Sequence, residues 1–219
     1  MMGGKNTSFA SSVTLDATIT TSAGNLLIAI VEADTVAANG VTVSDNKGNT
    51  WSRAISTSLA ATFDLEVWYT VITTGGSGHQ ITATDNGGGV DSILIVEEWS
   101  GNTTTPLDVS VGATGVTSTA LNSGASATTA QANELVIGAG VASGAVTLTP
   151  GSGYSNLNQA NTIFSTLAFE SKTVSAVGTQ TATMTSSVLG SWVCQVVTFK
   201  ELGGTITVNI PTLALLGVG

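Results

Sequence analysis

Short segments of apolar or alternating residues, separated by clusters of Gly, Asn, Ser and Asp, make up most of the chain. Residues 26–31 form a continuous apolar run, which is typical of a strand buried on both faces. Residues 65–71 alternate, as in a strand with one buried face. No stretch of about 12 residues combines a 3.6-residue period with capping residues at its ends. The pattern therefore predicts an all-β fold with very little helix.

The same order of segments occurs twice, in residues 22–101 and again in residues 130–200. Three positions align at offsets of 109, 101 and 100 residues: Leu26 with Leu135, Trp68 with Phe169 and Trp99 with Phe199. Each half supplies about four or five strands that cannot cover their own apolar faces, so we expect two sheets to pack face to face. The sequence thus predicts a single β-sandwich of jelly-roll type, built from two pseudo-repeated halves.

The predicted organisation has three parts. Residues 1–21 hold an N-terminal segment and a first strand, residues 22–202 form the sandwich domain, and residues 203–219 form an apolar C-terminal arm. The two halves belong to one domain because the link between them, residues 101–129, contains many Ser and Thr residues but no flexible charged tract. Six aromatic residues are expected to anchor the core: Trp51, Trp68, Trp99, Trp192, Phe169 and Phe199.

The arm contains no charged residue from position 205 onward, and its apolar side chains would be costly to leave in water. Residues 205–210 alternate like a strand, and Pro211 restricts such a strand to the edge of a sheet. The residues expected to make contacts are Ile206, Val208, Ile210, Leu213, Leu215 and Leu216. We expect the arm to add to the sheet edge or groove of a neighbouring subunit, with an extra edge strand of its own domain as the alternative.

Charge narrows the range of partners. The chain carries 14 acidic and 5 basic residues, which gives a net charge of −9, and the basic residues are scattered. Because no basic stripe is available to neutralise phosphates, we expect neither nucleic acid nor an anionic membrane surface as a partner. The mean hydropathy of +0.37 comes from thinly spread Ala and Val, and no apolar run approaches the ~20 residues of a spanning helix.

Cysteine usage and the N-terminal residues bear on the compartment. Cys194 is the single cysteine, which excludes an internal disulfide framework. Residues 1–8 lack the apolar core of an export signal, so synthesis in the cytosol is expected.

Catalytic arrangements find little support in the sequence. His79 is the single histidine and lies in the Gly-rich residues 75–80, which predict a hairpin turn at the surface. No Gly-x-Ser-x-Gly segment presents a nucleophile to it. Glu97 and Glu98 are adjacent in a predicted strand and therefore point to opposite faces, so they cannot flank one glycosidic bond, and one of them is expected to be partly buried. The sequence predicts a protein without catalytic residues or cofactor.

Two acidic turns are weak calcium candidates. They lie at residues 45–49 and 85–91, and their carboxylates belong to Asp45, Asp85 and Asp91. Calcium takes six to eight oxygen ligands, and neither turn has the spacing of an EF-hand loop. Since Lys47 lies inside the first turn, ordinary turns stabilised by Asp and Asn side chains are the favoured interpretation, and no metal is predicted.

The order of several short motifs resembles a known module. They are Gly24-Asn25-Leu26-Leu27, residues 43–51, Trp68-Tyr69, residues 97–101, Pro106-Leu107-Asp108 and residues 133–136. Together they are similar to a β-sandwich module that recurs in bacteriophage virion proteins and in some secreted bacterial surface proteins. The resemblance extends from about residue 22 to residue 200. It implies a structural or binding role with no catalytic residues.

The resulting expectation is a non-enzymatic virion structural protein of a tailed bacteriophage: a decoration, head-fibre or tail-associated subunit, assembled in the host cytoplasm. Its partners would be copies of itself and other virion proteins. The alternative is a carbohydrate-binding or adhesive module of a bacterial surface protein, extracellular or at the cell surface, which would bind host glycans. Trp51 and Tyr154 are the aromatic residues expected to face a ligand in that case.

Overall fold

The computed structural model of the protein describes residues 12–14 (backbone alone), 19–33, 40–60, 62–86 and 92–202. Every regular element in these ranges is a β-strand, so the prediction of an all-β fold is confirmed. The strands are β1 (Ser12–Thr14), β2 (Ile19–Thr21), β3 (Leu26–Ala33), β4 (Val41–Asp45), β5 (Ser52–Leu59), β6 (Phe63–Val71), β7 (Gly76–His79), β8 (Ile81–Asp85), β9 (Ser92–Trp99), β10 (Asn102–Asn122), β11 (Asn133–Ser143), β12 (Leu148–Thr149), β13 (Asn156–Asn161), β14 (Ser165–Ser175) and β15 (Thr183–Glu201). None of the described segments is a helix that could span a membrane.

Two large antiparallel sheets form the body of the molecule. The first main sheet has the order β5-β6-β3-β9, and the second main sheet has the order β10-β15-β11-β14-β13. A three-stranded sheet, β1-β8-β4, and the pair β2-β7 accompany the first main sheet, while β12 pairs with the beginning of β15. All of these pairs are antiparallel, and the architecture is β-sandwich-like.

The two main sheets face each other across a central core. Alternate residues of each strand point into it, because side chains change face at every position of a strand. The first main sheet contributes Leu26, Ile28, Ile30, Phe63, Leu65, Val67, Ile93, Ile95 and Trp99. The second contributes Leu135, Ile137, Ala139, Val141, Leu167, Phe169, Val193, Val197 and Phe199.

The opposite faces of both main sheets are buried as well. The first outer core lies between the first main sheet, through residues such as Leu27, Val31 and Val96, and the three-stranded sheet, through residues such as Val43 and Ile81. The second outer core lies on the far face of the second main sheet, and its members include Val136, Ala168, Cys194, Leu148 and Met184. Strand β3 is consequently buried at every position, as the continuous apolar run at residues 26–31 predicted, and β9 is buried at every position too.

The second outer core is covered partly by the long strands of its own sheet. The end of β10 pairs with the beginning of β15, where Leu121 lies opposite Met184. Cys194, in the second half of β15, donates its thiol to the Ala182 carbonyl at 3.7 Å, so the chain around the beginning of β15 lies over its own sheet. Gly140 makes this close approach possible, because a Cβ at that position would lie 2.7 Å from the sulfur of Met184.

Among the described residues, four side-chain hydrogen bonds join the two main sheets: one at the exposed margin, from the Ser110 hydroxyl to the Ala54 carbonyl, and three that cross the central core. Gln195 Nε2 donates to the Leu65 carbonyl at 2.8 Å. The Ser165 hydroxyl donates to Glu32 Oε2 at 3.2 Å, and Asn158 Nδ2 donates to Glu97 Oε1 at 3.4 Å. Buried polar groups need such partners, and each bond fixes the relative position of the two sheets at one point.

The six expected core aromatics divide into two groups. Trp99, Phe169 and Phe199 lie in the central core, and Trp192 lies in the second outer core. Trp51 and Trp68 are half-buried and pack against the first outer core from its margin.

Replacement of Trp99 by Ala should lower the free energy of unfolding by about 3–5 kcal/mol, because Trp99 is a buried aromatic of the central core and packs against Phe169. Denaturant unfolding measures this loss. The matched control is Phe164→Ala, since the Phe164 side chain is 50% exposed and should cost under about 1 kcal/mol. A decrease in the free energy of unfolding below about 1 kcal/mol for Trp99→Ala would contradict the burial of Trp99 in the central core.

Candidate functional site

The Asp45 carboxylate organises the turn after β4. Its Oδ1 accepts hydrogen bonds from the backbone N–H groups of Lys47 (2.8 Å) and Asn49 (3.2 Å). Its Oδ2 accepts from Asn49 Nδ2 (3.0 Å) and from the Trp51 indole N–H (2.9 Å). Burial alone would raise the pKa of Asp45, but the hydrogen bonds from Trp51, Asn49 and Lys47 outweigh it and hold this pKa below its ordinary value. The carboxylate acts as a structural acceptor within a turn.

The position of His79 corrects the sequence-based expectation. His79 lies in strand β7, not in a surface turn, and its side chain is fully buried. Its Nδ1 lies 2.7 Å from the Thr21 hydroxyl, and its Nε2 lies 3.3 Å from Asp45 Oδ2. Thr21, His79 and Asp45 are in the order of a nucleophile, base and orienting acid, but Thr21 is itself buried in strand β2. A substrate therefore has no access to its hydroxyl, and the three residues tie β2, β7 and the Asp45 turn together.

The calcium candidates do not form a binding site within the described residues. The oxygens of Asp45 are already hydrogen-bonded to groups of its own turn. Asp85 is buried at the end of β8, where it pairs with Val41, and Asp91 lies outside the described residues. No group of three or more His, Cys, Asp and Glu side chains that could hold a metal occurs in the part of the chain that the structure describes.

The two aromatic residues considered as ligand-facing have different surroundings. Trp51 is half-exposed, and its indole N–H is held by Asp45. Tyr154 is buried in the second outer core, where its hydroxyl donates to the Thr181 carbonyl at 3.0 Å. The Lys172 ammonium lies 4.6 Å from the centre of the Tyr154 ring. The structure therefore does not bring Trp51 and Tyr154 together as one binding surface, and Tyr154 is directed inward.

Both Glu97 and Glu98 are buried, whereas one was expected to be partly buried. Glu97 shares the central-core face of β9 with Trp99. Glu98 points to the opposite face and accepts hydrogen bonds from Ser22 N at 2.7 Å and Asn25 Nδ2 at 2.8 Å. The prediction that they occupy opposite faces agrees with the structure, and each carboxyl accepts hydrogen bonds from a different part of the chain.

Several buried carboxyls have altered acidity. Burial raises the pKa to about 7 for four of them: Glu97, Glu134, Glu170 and Glu201. Hydrogen bonds favour the charged form only in part, such as those from Asn158 to Glu97 and from Gly151 N to Glu170 (2.7 Å). The interior thus contains carboxyls that stay protonated in mildly acidic solution.

An exposed apolar surface lies at one end of the second main sheet. Among the described residues, it contains five of the seven large apolar side chains that are well exposed: Val116, Ile163, Phe164, Val188 and Leu189. We call this set the apolar rim. The sequence did not predict an exposed role for these residues, although Ile163-Phe164 and Val188-Leu189 are apolar pairs inside polar, turn-like segments.

The ladder pairing explains why these residues share one end. Ser143, the last residue of β11, pairs with Ser165 of β14 and accepts a hydrogen bond from Ser191 N at 3.2 Å. Phe164 therefore lies just before the first residue of β14. Leu189 lies within β15, just beyond the last pair of its ladder with β11, Ala142 with Trp192. Val116 lies just beyond Gly115, which pairs with Trp192. The rim extends over β10, β15, β11, β14 and β13, a width of roughly 20 Å at the usual spacing of strands.

The predicted arm residues lie outside the described residues. These are Ile206, Val208, Ile210, Leu213, Leu215 and Leu216. The described chain ends at Leu202, whose N–H donates to the Gly101 carbonyl at 2.8 Å. This point is at the opposite end of the second main sheet from the rim, because Lys200 pairs with Glu134 near the beginning of β11.

Comparisons with known proteins return no relative of this chain. No family model matches the sequence, no curated protein matches it, and no solved structure matches the fold.

Removal of divalent metal should leave the protein unchanged. The oxygens of Asp45 are occupied by protein donors, so EDTA should not alter the melting temperature. Thermal unfolding with EDTA, with added calcium and with neither provides the measurement. A decrease of several degrees in EDTA that calcium reverses would show that an acidic turn binds the ion.

Stability should decrease from pH 5 to pH 8. The buried carboxyls have a pKa near 7 in the folded chain, against an ordinary value of 4.5, so the unfolded chain releases protons at lower pH. Their contribution to stability is complete below pH 4.5 and is lost as the pH rises through 7. Thermal unfolding at several pH values measures this effect. A decrease of about 2 kcal/mol in the free energy of unfolding lowers Tm by roughly 4–8 °C for a chain of this size.

The variant Glu97→Gln tests the same point, because glutamine is uncharged at every pH. It should make the melting temperature less dependent on pH between 5 and 8 than that of the parent chain. Stability that rises over this interval, or an unchanged slope in Glu97→Gln, would argue against a protonated Glu97 in the folded state.

Proposed function

We propose that this chain is a non-enzymatic structural subunit of a tailed-bacteriophage virion, as a decoration, head-fibre or tail-associated protein. It acts by packing against copies of itself and other virion proteins. The observation that carries the proposal is the apolar rim, because exposed apolar clusters in soluble proteins usually mark interaction sites. The order of the sequence motifs resembles that of virion β-sandwich modules, and this resemblance is the reason for assigning the assembly to a virion.

The occupant of the rim in this proposal is the C-terminal arm of a neighbouring copy. Residues 205–219 are uncharged and rich in Leu, Ile and Val, which matches an apolar docking surface. The arm begins at the end of the second main sheet opposite the rim, and β11 between them is 11 residues, or about 36 Å, long. The arm leaves one end of the second main sheet, and the rim that receives it lies at the other end. Copies therefore associate head to tail, which produces rings or filaments.

Packing of the arm onto its own subunit is the competing arrangement. Residues 203–219 could extend to about 56 Å, which is enough to reach the rim of the same copy. The two arrangements differ in one measurable respect. Contacts between copies depend on protein concentration, whereas contacts within a copy do not.

The internal duplication and the jelly-roll type belong to this proposal too. The first main sheet has the order β5-β6-β3-β9, and four strands of the second have the corresponding order β13-β14-β11-β15. Leu26 pairs with Trp99 in the first half, and Leu135 pairs with Phe199 in the second. The shared order and the matching pairs support two pseudo-repeated halves, and the jelly-roll type of connection stays a prediction.

Deletion of residues 203–219 should abolish assembly and leave the melting temperature unchanged. Leu189→Asp in the full-length chain should have the same effect, because it places a charge in the rim. Sedimentation velocity over a range of concentrations gives the oligomeric state. The matched control is Val177→Asp, since Val177 is similarly exposed (54%) but is not part of the rim, and this variant should still assemble.

Two outcomes would contradict assembly through the arm. The first is a truncated chain that melts at a lower temperature than the parent chain at a protein concentration at which both are monomeric, which indicates packing within one copy. The second is a Leu189→Asp variant that assembles normally. Electron microscopy of phage particles labelled with an antibody to this chain tests the virion assignment separately, and unlabelled particles would overturn it.

A further inference from the structure

A groove separate from the rim opens beside the central core, at the end of the main sheets where Leu202 lies. It has a volume of about 370 Å³. One wall comes from the beginning of β5 and the end of β6, and the other comes from the beginning of β10 and the end of β15. The polar side chains along it include Thr50, Ser52, Tyr69, Thr104, Thr105 and Lys200.

An irregularity in β10 creates the second wall. Asn102 pairs with Glu201, and the next pair along the ladder is Leu107 with Phe199. Five steps along β10 therefore correspond to two steps along β15, so the residues between them leave the ladder. Such bulges redirect side chains and are frequent beside binding sites. Thr104 and Thr105 become exposed in this way and face the groove.

The first wall is held in place by the core. Tyr69 pairs with Ile28 in β3 and with Ser52 in β5. Its ring contacts the edge of Phe199 with ring centres 5.5 Å apart and an angle of 63° between the planes. The ring position is therefore fixed by the main sheets, and the groove is formed before any ligand arrives.

The polar groups of the groove have unused hydrogen-bonding capacity. The hydroxyls of Thr50, Ser52, Thr104 and Thr105 make no side-chain hydrogen bond with any other described residue. The Lys200 ammonium makes neither a hydrogen bond nor an ion pair within the described ranges, and its charge acts at longer range on the Glu134 carboxyl, where it partly offsets the rise in pKa that burial causes. Donors and acceptors that converge on a groove without protein partners are available to a ligand.

We propose that this groove binds a short acidic saccharide, with its carboxylate on Lys200. The hydroxyls of the Thr and Ser residues exchange hydrogen bonds with sugar hydroxyls, and the half-buried Tyr69 ring provides apolar surface for the sugar's C–H groups. The net charge of −9 restricts anions to the vicinity of the five basic residues, and Lys200 is the one in this groove. This binding activity is independent of assembly through the rim, because the two surfaces share no residue.

Calorimetric titration of the full chain with a hexuronic-acid oligosaccharide, and with a neutral hexose oligosaccharide of the same length, tests the proposal. The acidic saccharide should bind, and added salt should weaken it. Lys200→Met should raise Kd roughly 10- to 100-fold, because it removes a charge-assisted hydrogen bond. Tyr69→Phe keeps the ring and should raise Kd only a few-fold.

Two further variants make the result specific. Thr105→Tyr fills the groove from an exposed position and should abolish binding without lowering the melting temperature. Lys47→Met is the matched control, since Lys47 donates to the Ser77 carbonyl (3.0 Å) in a different part of the molecule, and its Kd should be that of the parent chain.

Three results would overturn the proposal: no heat of binding with the acidic saccharide, equal affinity for the neutral one, or an unchanged Kd in both Lys200→Met and Thr105→Tyr. None of them depends on whether the protein assembles, because the same titrations can be performed on the full-length Leu189→Asp variant, in which the rim carries a charge and the groove is unchanged. The melting temperature of each variant shows that it is folded.

Discussion

The structure depends on two main sheets that are apolar on both faces. A strand such as β3, which is buried at every position, stabilises the fold only if a separate layer covers each of its faces. The central core satisfies one face of each main sheet, and the two outer cores satisfy the other faces. The small sheet β1-β8-β4, the short strand β12 and the folded-over beginning of β15 therefore exist to cover surfaces that a two-layer sandwich would leave in water.

Burial on both faces also brings polar side chains into the interior. Glu97 occupies a central-core position because β9 has no solvent-facing side, and it accepts a hydrogen bond from Asn158 of the opposing sheet. Replacement of such groups by apolar residues is often neutral or stabilising, so net stabilisation is not their main contribution. The bonds Gln195–Leu65, Ser165–Glu32 and Asn158–Glu97 are directional, whereas apolar packing is not. They define one alignment of the two main sheets.

The sequence predicted the strands and the buried character of β3, since both follow from local patterns. It did not predict the burial of His79, because the Gly-rich residues around it indicate a turn, whereas Thr21 and Asp45, distant in sequence, enclose it. The aligned pair Trp68 and Phe169 shows a different limit. Trp68 packs on the first outer core and Phe169 lies in the central core, because an error of one residue in a strand alignment reverses the face.

The rim and the groove lie at opposite ends of the main sheets, which constrains how the two proposed activities coexist. If copies stacked with their ends in direct contact, each rim would cover the groove of the next copy. In the proposed assembly this conflict does not arise, because the arm of a neighbouring copy occupies each rim, and the undocked part of residues 203–219 sets the distance between the copies. The groove would then stay open along a chain of subunits, and each copy could bind a saccharide. The two proposals are therefore compatible, because the arm occupies the rim at one end of the main sheets and leaves the groove at the other end accessible to a saccharide.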